Sequence, residues 1–190
     1  MKKRTPVITG LILGTIIVIT FFVYASYAFF NTKIVGEGKQ IKTKSSDDFY
    51  VTFNNSSEIS MENAELIDDA NKENDAEKIE FTINVSNLDN PSFDVNLNNL
   101  YVSTELQSVY TKWELYNTNT AEILSSGNFE TCTDCENGGV TYNILSGGSL
   151  TKNEPLELGF RLWLSNAGSG IDQNDLLNGS LSGKIVVSVY

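Results

Sequence analysis

The chain has 190 residues, 41% of them hydrophobic and 19% charged, which suits one domain of ordinary size with an N-terminal appendage. It contains no histidine, which excludes Ser-His-Asp and Cys-His nucleophile systems, imidazole zinc ligands and a histidine base. Thirteen Lys and Arg stand against 24 Asp and Glu, a net charge of -11; three of the cations lie in the first 28 residues, leaving -14 on the remainder. A surface so acidic repels phosphate backbones, so nucleic acid is not expected as a partner.

Lys2-Lys3-Arg4 precedes 28 residues, Thr5 to Thr32, without a charged side chain, and residues 7–24 within them are almost wholly apolar. Such a run enters hydrocarbon because it carries no ionised group there. The basic cluster stays on the cytoplasmic side, so everything after Phe30 is expected outside the cell or at its surface. Two outcomes follow. Ser26-Tyr27-Ala28 places small residues where a signal peptidase reads them, with the cut between Ala28 and Phe29. The run is also long enough to stay in the membrane as an anchor helix, with the N-terminus cytoplasmic. The expected layout is residues 1–28 as signal peptide or membrane anchor, 29–48 as linker or first strand, and 49–190 as a β-sandwich domain.

The remainder of the chain alternates with period two. From Lys78 to Ser86, Ile79, Phe81, Ile83 and Val85 point one way, and Lys78, Glu80, Thr82 and Asn84 the other. Leu156, Leu158, Phe160, Leu162 and Leu164 repeat the pattern with Glu157 and Arg161 outward, and Ile185, Val187 and Val189 close the chain. Weaker strands are predicted at Phe49–Phe53, Phe93–Leu97, Val109–Tyr116, Ala121–Leu124 and Val140–Ile144. Turns are predicted at Asn54–Ser57, Asp89–Pro91, Ser125–Asn128, Ser146–Gly148 and Asn178–Ser180. About eight strands at this spacing predict an all-β, antiparallel, jelly-roll-like sandwich. The stretch Glu62–Ala76 reads equally as a short helix or an acidic loop.

Cys132 and Cys135 form a CxxC flanked by Asp134, Glu136, Gly138 and Gly139, which is turn chemistry rather than a βαβ redox site. Two cysteines cannot supply four zinc ligands, and in an exported domain a small disulfide across the turn is expected. Glu58–Glu80 holds nine acids against Lys72 and Lys78. Asp69, Asn71, Glu73, Glu77 and Glu80 match part of a calcium-loop template, but Asn74 stands where it requires glycine. A solvated acidic stretch is the plainer reading, and calcium is the only cofactor the sequence raises. Trp113 and Trp163 read as packing residues, and the paired acids Asp47-Asp48 and Asp68-Asp69 do not by themselves make facing carboxylates. Nothing points to an enzyme.

Several segments together resemble the TasA and camelysin family of exported Gram-positive matrix proteins. The junction Tyr24-Ala25-Ser26-Tyr27-Ala28-Phe29-Phe30 is similar to that family's cleavage region. The block Ile59 to Asn87 looks like its strand, acidic loop and aromatic strand. Trp113–Tyr116, Ser126–Phe129 and Leu158–Leu164 resemble its later strands. The resemblance implies a jelly-roll domain that assembles at the cell surface, in some members into biofilm fibres. The chain departs from the family where Asn31-Thr32-Lys33 replaces acids after the junction, and in its CxxC loop. Metallopeptidase activity described for some members does not carry over, because HExxH is absent. The expected function is therefore a non-enzymatic surface or matrix subunit that self-associates. A membrane-anchored, adhesin-like binding module, with or without calcium, is the alternative.

Overall fold

Alternating sequence becomes strand where one face of the pleat finds a core to bury it. The computed structural model describes residues 41–44, 49–168 and 171–190, which form eleven strands. The apolar run 7–24 and the Ala28–Phe29 junction lie outside the described residues. Among the described residues, no helix is long and apolar enough to cross a membrane.

The first sheet runs β1 (Ile41–Lys44), β2 (Phe49–Phe53), β5 (Glu77–Val85), β10 (Leu156–Ser165), β7 (Thr111–Asn117), β8 (Ile123–Asn128), with antiparallel neighbours throughout. The two-residue β4 (Leu66–Ile67) adds in parallel at Leu164 and Ser165 of β10. The second sheet runs β3 (Glu58–Glu62), β11 (Ser180–Val189), β6 (Ser92–Val102), β9 (Val140–Ser149), also antiparallel. Phe81, Phe160 and Leu162 of the first sheet and Phe93, Leu97 and Ile185 of the second belong to one buried cluster, so the architecture is an all-β sandwich. The core is drawn from residues 49–189. On one side the sheets meet, where Ser125 Oγ of β8 donates to the Ile144 carbonyl of β9 at 2.7 Å. Strands β1 and β3 stand at the far ends of their sheets.

Strands β2, β5 and β10 fall where the alternation places them. Two predicted turns do not. Ser125–Asn128 lies inside β8, and Ser146–Gly148 inside β9. Their glycines serve packing as well as bending. A Cβ on Gly127 would stand 2.6 Å from the Trp113 ring, and one on Gly148 2.3 Å from the Phe93 ring. Beside Gly148, Gly147 takes φ +70°, where the register of β9 against β6 shifts. Strand β3 had little signal, since only Ile59 and Met61 alternate among acids. The stretch Glu62–Ala76 holds β4 and one helical turn, α1 (Lys72–Asp75), with loop between them.

Cys132 and Cys135 stand at disulfide distance, with Cα atoms 5.7 Å apart, in the connection between β8 and β9. Asp134 takes the left-handed conformation, φ +60°, that lets the short turn close. Both cysteines are buried among the core residues. Reduction is expected to lower stability by about 1–3 kcal/mol, small because the closed loop is short. Urea unfolding with and without reductant measures it, and two free thiols titrating in non-reducing denaturant would refute the bond.

Candidate binding site

The outward face of β10 is where the local pattern and the tertiary structure part. Register sets Arg161 opposite Glu114 of β7 and Lys78 of β5, and sets Trp163 opposite Lys112. Outward residues of a sheet are ordinarily wet. Here Arg161 is 5%, Glu114 7% and Trp163 2% exposed. The segment between β4 and β5 folds back over them and supplies the partners such burial demands.

Glu114 is satisfied at both oxygens. Arg161 reaches Oε2 with Nη2 at 2.6 Å and Nε at 2.7 Å, and Lys72 of α1 reaches Oε1 at 2.6 Å. The Lys72 ammonium also sits 5.3 Å from the centre of the Trp163 ring. The Arg161 guanidinium stacks 4.6 Å from the Tyr116 ring, which crosses β10 at Gly159, where a Cβ would stand 2.3 Å from it. Glu73 Oε1 approaches Arg161 Nη1 at 3.9 Å.

Asp69 is the second anchor. Its Oδ1 accepts from Trp163 Nε1 and Ser165 Oγ, both at 2.8 Å, and its Oδ2 accepts from Lys112 Nζ at 2.7 Å. Partial burial pushes its pKa up, but the bonds from Lys112, Trp163 and Ser165 together outweigh that and hold it at about 2. Next to it, Asp68 Oδ1 accepts from Asn166 Nδ2 at 2.8 Å.

Four of the calcium-template residues are thus engaged separately. Asp69 binds Lys112, Trp163 and Ser165, and Glu80 accepts from Asn54 Nδ2 at 3.1 Å. The Glu73 carboxylate faces Arg161. Asn71 accepts at its carbonyl from the Asn74 and Asp75 amides. Among the described residues, no group of three or more His, Cys, Asp or Glu could hold a metal. Of the tryptophans, Trp113 packs in the core, and Trp163 lies under the loop on the outer face.

The folded-back segment also walls a cleft of about 650 Å³ between β3 of one sheet and β4, β5 and β10 of the other. Ala64, Leu66 and Ile67 contribute exposed apolar surface to it above the buried Met61, Leu162 and Leu164, while Glu62, Glu65, Asp68, Asp75 and Glu77 line it with carboxylates. Among the described residues, no lysine or arginine lines it. The nearby cations are engaged elsewhere: Lys72 and Arg161 by Glu114, Lys112 by Asp69, and Lys78 by the Glu73 carbonyl at 2.7 Å. Chemically the cleft offers anionic charge beside apolar surface. Sequence reading had registered the acids but not the cleft, because its walls come from segments about a hundred residues apart.

No family model, curated protein or solved structure matches the chain.

Replacing Glu114 with Ala strands Arg161 and Lys72 under the loop and is expected to cost about 3–5 kcal/mol in chemical denaturation. Asp69 gives a pH signature. Its folded pKa of about 2 lies below its ordinary 3.8, so its contribution is complete above the ordinary value and disappears as pH falls towards 2. The side chain is half exposed, and solvent screening limits the effect to the order of 1 kcal/mol. The advantage of the native chain over Asp69→Asn should be present at pH 6 and close between about pH 4 and pH 2.

Proposed function

We propose that this chain is an exported, non-enzymatic β-sandwich of jelly-roll type that serves as a structural subunit of the cell surface or extracellular matrix. The observation that carries the reading is the outer edge of β1 and of β3, which no further strand covers among the described residues. Strands β8 and β9 approach one another on one side, and β1 and β3 stand at the other ends of their sheets. A free sheet edge recruits a further strand through main-chain hydrogen bonds.

The chain supplies such a strand. Residues 29–40, ahead of β1, carry Lys33 and Lys39 with Phe29, Phe30 and Ile34, while the domain after them is strongly acidic. Opposite fields favour the encounter of one copy's leading segment with another copy's edge. Head-to-tail contacts of this kind do not close, so they extend into filaments. The resemblance to TasA and camelysin supports the same reading. Lys2-Lys3-Arg4 and the apolar run support export, with a signal peptidase acting between Ala28 and Phe29, or anchorage where the run is retained. A second reading, an adhesin-like binding module, is favoured by the acidic cleft beside β3.

Sedimentation of residues 29–190 against residues 41–190 tests the assembly reading while keeping β1 in both. The longer form should polymerise at high concentration and the shorter remain a monomer. Two monomers would refute assembly through the leading segment.

A further inference from the structure

We propose that the groove along β3 is a docking site for an extended basic peptide of a partner protein, with lysine or arginine alternating with apolar residues. The proposal goes beyond the assembly reading and does not depend on it. Its first ground is the edge itself. β3 pairs with β11 alone among the described residues, so its other side is free to take a strand. The second is the cleft that opens beside that edge, with Ala64, Leu66 and Ile67 contributing apolar surface.

An added strand has side chains that alternate between its two faces. One set would meet this apolar surface, and the other would face the carboxylates of Glu62, Glu65, Asp75 and Glu77. Those four carboxylates take no cation among the described residues, since every ion pair nearby uses Glu114, Asp69 or Glu73. Charge complementarity therefore selects a cationic strand.

The same charges act against a symmetric partner. Two copies of β3 paired antiparallel about Ser60 would set Glu58 opposite Glu62 at both ends, and directly opposed like charges destabilise a strand pair. The edge thus rejects its own copy and favours a strand of opposite sign. The cleft wall is also held in place before any ligand arrives. Asp69, two residues from β4, is bonded to Lys112, Trp163 and Ser165, and α1 is tied down through Lys72 and Glu114. Preorganisation of this kind lowers the ordering cost of binding.

The test uses a synthetic peptide alternating lysine and valine, titrated into residues 29–190 and residues 41–190 and followed by calorimetry and amide exchange. The expected result is saturable one-to-one binding to both forms that weakens as salt rises, with new protection at β3 amides. The combined variant Glu62→Gln, Glu65→Gln, Glu77→Gln should bind at least about tenfold more weakly, the loss expected of removing complementary charges. Glu154→Gln, outside the cleft, should bind as the native chain does. The circular dichroism of the combined variant separates lost binding from lost fold. Should it unfold, Glu65→Gln alone, in the turn between β3 and β4, must still weaken binding. The proposal is overturned if the peptide does not saturate, if a glutamate–valine peptide binds as well, or if the cleft variants bind undiminished. Binding to residues 41–190 but not to residues 29–190 would also overturn it, by assigning the groove to the leading segment of the chain itself. Failure of either form to polymerise would leave this result untouched, so the two proposals fall separately.

Discussion

A guanidinium 5% exposed on the outer face of a central strand is the constraint around which this sandwich is organised. Arg161 cannot stay beneath protein without an opposing charge, because an unpaired buried ion costs several kcal/mol. Glu114, its cross-strand neighbour on β7, meets that need with one oxygen and recruits Lys72 with the other. Lys72 belongs to α1, so satisfying the carboxylate draws the connection between β4 and β5 across the sheet. Asp69 secures the beginning of the same connection. A polar network ordinarily adds little net stability, and its worth here is in specifying one path for a segment that has few apolar residues to bury.

That path has consequences on both sides of the loop. Beneath it, Trp163 and Arg161 are shielded, so β10 is buried on both faces from Leu158 to Ser165. Beside it, Asp68, Asn71 and Asp75 become one wall of the cleft that β3 closes on the other side. The cations that would have neutralised this wall are consumed by Glu114 and Asp69. Anchoring the loop and leaving the cleft anionic are therefore one arrangement: the charges that hold the segment down are no longer free to balance those that face outward.

The two ends of the sandwich differ in the same physical sense. Between β8 and β9, a side-chain hydrogen bond and the disulfide-bearing connection bring the sheet edges together. On the β3 side residues 54–57 join the sheets and β3 lies near β5, but glutamates flank the strand at its outer edge. Charged residues on an edge suppress indiscriminate pairing and leave a matched partner admissible. A sandwich with such an edge is suited to directional contacts.

Sequence alone determined the alternating strands, because a period of two with apolar residues on one side has few stable outcomes besides a half-buried sheet. It also determined the turn at Cys132 and Cys135, where local Asp, Asn and Gly chemistry suffices. It misread Ser125–Asn128 and Ser146–Gly148, since a glycine needed for a bend and one needed beneath an aromatic ring look alike until the ring is in place. The acids of Glu58–Glu80 were legible as charge but not as geometry. Lys72 and Asp69 of this stretch find their partners Glu114, Lys112 and Trp163 at separations of 42, 43 and 94 residues. Only the tertiary structure decided which carboxylates are neutralised and which line the cleft, because that choice depends on strand register and on the path of a loop. Neither is encoded in the spacing of residues along the chain.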